Sequence, residues 1–155
     1  MRRQKRKSQT QKGFTLVELL ISSAILMITI VGILVSYLRC LELAEIAKNK
    51  TTAMNAVKSR MEQIKNTDFA NVMANYNSVT FTTPGLNGMG VSYVTTTIIN
   101  PDVLEVTISF SWKQTNTHLI GEDTNLNGVV NGGEDKNGNG ILDSPVQLVS
   151  SIYNV

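Results

Sequence analysis

The sequence is poor in the residues on which many catalytic and metal centres depend. Its 155 residues include one cysteine, Cys40, and one histidine, His118. A single cysteine excludes an intramolecular disulfide and leaves three alternatives: a buried or lipid-facing thiol, an intermolecular disulfide, or lipidation. Without a cysteine pair or a second histidine, zinc binding and Cys/His catalysis have little support. No glycine-rich phosphate loop follows a strand, so we expect a protein that is not an enzyme.

Helix-breaking residues are also scarce in the first half of the chain. None of the three prolines precedes Pro84, and Gly32 is the only glycine between residues 14 and 84. Proline and glycine are the residues that most disfavour helix interiors. Their scarcity predicts an unbroken helix over residues 14–66, which ends in the polar residues 66–68.

Charge is nearly missing from one long segment of that helix. Residues 14–38 contain no lysine, arginine or aspartate, and one glutamate, Glu18. A helix of this length, at about 1.5 Å per residue, can cross a bilayer. Beyond Arg39 the pattern becomes amphipathic, so residues 39–66 are predicted to pack on a domain. The predicted packing stripe consists of Leu43, Ile46, Met54, Val57, Met61 and Ile64.

Acidic residues are absent before the apolar segment. Basic residues that flank a membrane segment stay cytoplasmic, so we expect the N-terminus in the cytoplasm and the rest of the chain translocated. The net charge of the chain is +2, and without residues 1–13 it becomes −4. The basicity therefore indicates targeting, and no direct contact with nucleic acid is expected. The basic residues of this leader are Arg2, Arg3, Lys5, Arg6, Lys7 and Lys12.

The basic leader, Gly13-Phe14, the apolar helix and Glu18 together resemble the type IV prepilin signal. Type IV pilins and the pseudopilins of type II secretion systems share this signal. The resemblance implies an α+β fold in which a long N-terminal helix packs on a small antiparallel sheet. It also implies that prepilin peptidase cleaves between Gly13 and Phe14 and methylates the new Phe14 amine. An uncleaved signal anchor is the alternative for this segment.

Glu18 is the one carboxylate in the apolar segment, where an unpaired charge costs about 2.5–3.5 kcal/mol on insertion scales. Its side chain could meet the amine of Phe14 in its own chain, or that of a neighbouring subunit. The family resemblance favours the neighbour, with Glu18 setting the axial register during assembly. A glutamate that snorkels to the interface is the alternative.

The resemblance implies a domain organisation and a set of partners. We expect a leader at 1–13, a membrane and filament-core segment at 14–38, an amphipathic half at 39–66 and a β head at 67–155. The expected partners are prepilin peptidase, other pilin or pseudopilin subunits and an inner-membrane assembly platform. The precursor is expected to span the inner membrane once, and the assembled filament to be periplasmic or extracellular. The proline-free helix and residues 58–69 are similar to those of minor subunits, and a major pilin is the alternative. The machine could be a retractable pilus, a DNA-uptake pilus or a secretion pseudopilus.

The C-terminal part is predicted to form strands. A polar loop with turns at Pro84-Gly85 and Asn87-Gly88 should follow the helix. Strands are predicted over 91–99 and 103–113, joined by a turn at residues 100–102, with a last strand over 146–155. Residues 103–113 alternate, and their predicted core face consists of Leu104, Val106, Ile108, Phe110 and Trp112.

Residues 121–144 form an acidic loop rich in asparagine and glycine. Part of it fills the calcium-loop pattern D-x-[DN]-x-[DN]-G-x5-E, in which oxygens at alternate positions converge on one cation. Gly128 permits the sharp turn of that pattern. The predicted first-site ligands are Asp123, Asn125, Asn127, the Val129 carbonyl, Asn131 and bidentate Glu134.

The pattern begins again at Asp135, but its twelfth position is Val146, so a second site would be weaker or borrow a ligand. The predicted second-site ligands are Asp135, Asn137, Asn139, Ile141 and Asp143. The loop resembles those of EF-hands, dockerins and thrombospondin-type repeats, yet a strand leads into it. We therefore expect structural calcium in a loop between two strands; the alternative is a flexible loop of Asn-Gly turns. A further alternative for the whole protein is a membrane-anchored, calcium-dependent adhesion module that does not polymerise.

Overall fold

The computed structural model describes residues 13–97, 100–114 and 118–154. By internal packing the chain divides into two compact units, Met1–Leu43 and Ala44–Val155. The elements in chain order are α1 (Leu16–Lys65), α2 (Phe69–Tyr76), β1 (Val79–Phe81), β2 (Gly88–Thr97), β3 (Asn100–Lys113), β4 (Leu119–Ile120) and β5 (Gln147–Tyr153). A long N-terminal helix with a small antiparallel sheet confirms the predicted α+β, pilin-like fold class.

Helix α1 is continuous over 50 residues and ends one residue before Asn66, so the predicted helix is confirmed. Its last carbonyls find partners beyond the helix, as helix ends require. The Asn66 amide donates to the Glu62 carbonyl at 3.0 Å, and the Thr67 hydroxyl donates to the Gln63 carbonyl at 2.9 Å. Residues 1–12 of the predicted leader 1–13 lie outside the described residues.

The packing stripe of α1 differs from the prediction at its start. Val57, Met61 and Ile64 are buried as predicted, and Met54 is partly buried. Leu43 and Ile46 are exposed, so their assignment to the stripe was wrong. The buried stripe begins instead at Asn49, whose side-chain amide donates to the Gln114 carboxamide oxygen at 3.2 Å, and continues through Ala53.

The sheet has the order β1-β2-β3-β4, and β5 also pairs with β3; every pairing is antiparallel. One face of β3 joins Val57, Met61 and Ile64 of α1 in a single core. The predicted core face of β3 is confirmed, because its residues are all buried: Leu104, Val106, Ile108, Phe110 and Trp112. Ser109 and Ser111 on the opposite face are buried as well.

The connection between helix and sheet was predicted as a polar loop, and this was wrong. Helix α2 and strand β1 occupy most of it, and only Pro84-Gly85 forms a predicted turn. Gly88, predicted to lie in a turn, begins β2. The apolar residues of α2 pack on the core at helical spacing, a signal that is easily missed in eight residues. They are Phe69, Val72, Met73 and Tyr76.

The hairpin turn was also misplaced. Asn100 already pairs with Thr97, and the Asp102 carbonyl accepts the Asn154 amide at 2.9 Å, so the predicted turn at 100–102 belongs to β3. Pro101 is tolerated there because it lies near the start of the strand. Strand β5 confirms the predicted last strand over Gln147–Tyr153. The predicted strand residues 98–99 and 155 lie outside the described residues.

Candidate functional site

Gly13 and Phe14 lie before the first turn of α1, and both are exposed. A β-carbon at Gly13 would meet no atom within 4 Å. The residue therefore leaves the backbone on either side of the Gly13–Phe14 bond sterically free, as a protease needs around a scissile bond.

Glu18 lies in the first turn of α1, at the third helical position. The amide of Glu18 donates to the Thr15 hydroxyl at 3.3 Å and to the Thr15 carbonyl at 3.1 Å. Threonine before a helix with glutamate three residues later is the capping-box pattern, which the sequence analysis did not identify. A carboxylate here also interacts favourably with the helix dipole. Glu18 is thus compatible with both helix capping and pairing with an amine.

The apolar part of α1 is not covered by any of the described residues. It is long and apolar enough to cross a membrane, and none of its most apolar window is buried. Its polar side chains donate to carbonyls of the preceding turn: Ser22 to Glu18 at 2.7 Å, and Ser36 to Gly32 at 2.9 Å. These bonds remove the cost of unpaired hydroxyls in hydrocarbon. The segment is therefore suited to a lipid environment.

The second candidate site is the acidic loop, which lies between β4 and β5 as predicted. Its end is fixed to the face of the sheet that α1 leaves uncovered. The Ser109 hydroxyl donates to the Leu142 carbonyl at 2.5 Å, and the Leu142 amide donates to the Tyr93 hydroxyl at 3.1 Å. Burial raises the pKa of Tyr93 above its usual range. These contacts explain why Ser109, on the polar face of β3, is buried.

Asp123 organises the first half of the loop. Its side chain is 1% exposed, and its carboxylate accepts the amides of Asn127 at 3.1 Å and Gly128 at 2.8 Å. Gly128 has φ +72, the left-handed conformation that glycine adopts without strain. The Asn125 side-chain oxygen accepts the Asn127 amide at 3.0 Å.

Three of the predicted ligand oxygens converge on one point in the first half of the loop. The Asn131 side-chain amide donates to the Asn127 side-chain oxygen at 3.3 Å, the Val129 carbonyl at 2.8 Å and Glu134 Oε2 at 3.1 Å. These are positions five, seven and twelve of the calcium-loop pattern. The Asn131 amide nitrogen therefore lies among three oxygens at ligand positions of the pattern.

Glu134 is 3% exposed and closes the first half of the loop. Hydrogen bonds from the Thr124 hydroxyl at 2.5 Å and from the Asn131 amide hold its pKa down to about 2, although burial opposes this. The carboxylate is therefore ionised at neutral pH. Among the described residues, no basic side chain pairs with Asp123 or Glu134, so their charge has only dipolar partners.

The second half of the loop repeats part of this arrangement. Asp135 accepts the amides of Asn139 at 3.1 Å and Gly140 at 2.8 Å, and Asn139 accepts the amide of Ile141 at 3.0 Å. The Asp143 carboxylate accepts the Asn137 side-chain amide at 2.6 Å. Val146, at the twelfth position, is fully buried and offers no ligand.

Sequence reasoning missed Glu122, which lies against the second half of the loop. Its two carboxylate oxygens accept the amides of Lys136 at 3.3 Å and Asp143 at 3.0 Å. Its position 12 residues before Glu134 could have drawn attention to it. Within the described ranges, no three Asp, Glu, His or Cys side chains are gathered as a metal cluster, so binding would also need amide and carbonyl oxygens.

Comparison with known proteins gives one result. A family model described as the prokaryotic N-terminal methylation motif matches residues 8–34. No curated protein and no solved structure matches the chain. The matched residues include Gly13, Phe14, Glu18 and the start of the exposed apolar helix. The chain therefore carries the N-terminal signal of type IV pilins and pseudopilins.

Proposed function

We propose that this protein is a structural subunit of a type IV pilus or a type II secretion pseudopilus. Prepilin peptidase would cleave it between Gly13 and Phe14 and methylate the Phe14 amine, and the subunit would then polymerise through α1. The observation that carries the proposal is the methylation motif at 8–34, whose residues from Leu16 onward lie on a helix with an exposed apolar surface. Proteins with this signal have structural roles and are not enzymes.

The exposed apolar surface of α1 explains why such a subunit would need a lipid bilayer before assembly and neighbouring helices after it. Burying apolar side chains stabilises by about 25 cal/mol per Å² of surface removed from water. Lipid supplies that burial in the precursor, and neighbouring helices supply it in a filament. The precursor would span the inner membrane once, with a cytoplasmic N-terminus, and would be extracted by an assembly platform.

Within this class we propose a minor subunit. Helix α1 contains no proline, so it lacks the kink that proline introduces into a helix. This proline-free helix is the feature that resembles minor subunits. The proposal applies equally to a retractable pilus, a DNA-uptake pilus and a secretion pseudopilus. Those machines differ from one another in their partner subunits and motors, which lie outside this chain.

Processing is the first testable consequence. We expect the protein isolated from cells with active prepilin peptidase to begin at N-methylated Phe14, having lost residues 1–13. Intact mass spectrometry with N-terminal sequencing measures this directly. In a Gly13→Asp variant, the bulky charged side chain beside the scissile bond should leave the full-length precursor in the membrane.

The matched control for that variant is Gly32→Ala, a glycine substitution inside α1 and away from the bond, which should be processed like the wild type. A wild-type chain that keeps residues 1–13 in those cells would contradict the proposal. It would favour the uncleaved signal anchor, and with it the membrane-anchored module that does not polymerise.

We further propose that the acidic loop binds calcium and that the ion orders it after export. The support is the convergence of Asn127, Val129 and Glu134 oxygens around the Asn131 amide, together with two buried carboxylates that lack a basic partner among the described residues. These residues fit a hard cation, because calcium takes carboxylate, amide and carbonyl oxygens. Asp123, Asn125, Asn127, Val129, Asn131 and Glu134 would hold the first ion.

Calcium should therefore raise the stability of the β head. Extracellular modules bind calcium with Kd of roughly 10⁻⁴–10⁻³ M, so 10 mM calcium should stabilise by about 1.4–2.7 kcal/mol per site. Thermal unfolding of the detergent-solubilised chain, followed by fluorescence of the single tryptophan, Trp112, measures this effect. Equimolar magnesium, which demands smaller octahedral sites, should stabilise less.

Glu134→Gln, which removes the bidentate carboxylate, should lose most of the calcium-dependent gain. Glu105→Gln is the matched control, because Glu105 is an exposed carboxylate on β3. Equal unfolding temperatures with calcium and with chelator in the wild type would contradict the calcium proposal and favour a metal-free loop.

A further inference from the structure

The acidic loop contains an internal repeat of 12 residues that the calcium-loop pattern alone does not reveal. Residues 122–133 and 134–145 both begin Glu-Asp-x-Asn-x-Asn-Gly. Each repeat therefore starts with a glutamate that lies one residue before its first candidate ligand. The corresponding pairs are Glu122 and Glu134, Asp123 and Asp135, and Gly128 and Gly140.

The two repeats fold in the same way around their first aspartate. In the first, the Gly128 amide donates to Asp123 Oδ2 at 2.8 Å, and in the second the Gly140 amide donates to Asp135 Oδ2 at 2.8 Å. Gly128 and Gly140 have φ of +72 and +80. The sequence repeat is thus also a structural repeat.

The leading glutamate of each repeat accepts hydrogen bonds from the other repeat. Glu134, from the second repeat, accepts the amides of Thr124 at 2.9 Å and Asn131 at 3.0 Å, which are positions two and nine of the first loop. Glu122, from the first repeat, accepts the amides of positions two and nine of the second loop, at 3.3 and 3.0 Å. In both glutamates, Oε1 accepts the amide at position two and Oε2 accepts the amide at position nine.

We infer that Glu122 supplies the closing carboxylate of the second calcium site, in place of Val146, so that each repeat's leading glutamate completes the other repeat's site. The chain would then bind two calcium ions. This inference rests on the proposed calcium binding of the loop, and it selects the alternative in which the second site borrows a ligand.

The contacts of Glu122 give the inference its physical basis. The calcium pattern requires a bidentate acid as its last ligand. At the second loop that position holds Val146, an apolar residue at 0% exposure. Glu122 accepts the amides at positions two and nine of the second loop, and Glu134 accepts those at the equivalent positions of the first, so the Glu122 carboxylate is held in the corresponding place.

The inference is tested by titrating calcium into the full chain in detergent and monitoring the glycine amides by ¹⁵N-resolved NMR. Gly128 and Gly140 report the two loops separately, because each donates to the first aspartate of its own loop. In the wild type both resonances should shift, and native mass spectrometry should show two bound ions. In Glu122→Gln, Gly128 should respond as before, whereas Gly140 should need at least about tenfold more calcium, the lower end of the loss seen for groups that support metal ligands.

The remaining variants separate the possible failures. Glu122→Asp keeps the charge on a shorter side chain and should weaken the Gly140 response less than Glu122→Gln does. Glu105→Gln should leave both responses unchanged. An unchanged Gly140 response in Glu122→Gln, or an equal loss at both glycines, would overturn the role of Glu122 while the calcium proposal stands. No response of either glycine in the wild type would overturn the calcium proposal itself, and this inference with it.

Discussion

Replacing Glu18 by alanine is expected to abolish filament assembly and to leave membrane insertion intact. The apolar surface of α1 that would drive insertion is made by the uncharged side chains of residues 14–38, which the substitution leaves in place. Assembly does depend on it if its carboxylate pairs with the Phe14 amine of a neighbouring subunit, because an unpaired charge in hydrocarbon is unfavourable. Immunoblots of sheared filaments and of membrane fractions measure the two quantities separately.

The capping-box pattern at the start of α1, where the Glu18 amide donates to the Thr15 hydroxyl, supplies the control for that experiment. Glutamine can occupy the third position of a capping box, so Glu18→Gln keeps the helix start while removing the charge. If charge pairing matters, both Glu18→Gln and Glu18→Ala should lack filaments. Filaments of normal abundance in Glu18→Gln would contradict pairing and assign Glu18 to helix capping. Filaments in both variants would favour an anchored module that does not polymerise.

The long helix and the core face of β3 could be predicted because their patterns extend over many residues. The absence of proline before Pro84 and the alternation from Leu104 to Trp112 each rest on many consistent positions. Helix α2 could not be predicted with the same ease, because eight residues carry little periodicity. The turn was misplaced because Pro101 is usual in turns, yet it is also tolerated at the start of a strand.

Other errors reflect tertiary structure that no local pattern contains. Leu43 and Ile46 continue the helical stripe but are exposed, because the buried residues of α1 begin only at Asn49. The Asn49 side chain meets Gln114, just beyond the end of β3. Ser109 appeared to belong to a polar face and is buried because the acidic loop lies over it.

The candidate calcium loop was partly visible in the sequence. The spacing from Asp123 to Glu134 predicted six converging ligand positions, and the structure places three of their oxygens, on Asn127, Val129 and Glu134, around the Asn131 amide nitrogen. The place of Glu122 depends on how the two repeats fold against each other. It could be suspected from the 12-residue spacing, but only the contacts with the second repeat reveal it.

The largest stability effect expected in the loop is that of Gly128→Ala. The left-handed conformation alone costs a residue with a β-carbon about 1–2 kcal/mol. At Gly128 the new β-carbon would also clash with Thr80 Cγ2 on β1 and lie 3.1 Å from Val91 Cγ2 on β2. Overpacking of this kind typically adds about 1–3 kcal/mol. The total loss should therefore be about 2–5 kcal/mol, measured by thermal unfolding of the detergent-solubilised chain with Trp112 fluorescence.

Gly140→Ala is the matched control, because Gly140 has a similar φ of +80 and a β-carbon there would meet nothing within 4 Å. Gly140→Ala should lose only the conformational part of the stability, about 1–2 kcal/mol. A double-mutant cycle with Thr80→Ser isolates the clash, since serine lacks the methyl group that the new β-carbon would strike. In the Thr80→Ser background, Gly128→Ala should approach the cost of Gly140→Ala. Equal costs of the two glycine substitutions in the wild-type background would show that the loop does not press on β1, and would contradict the packing on which this prediction rests.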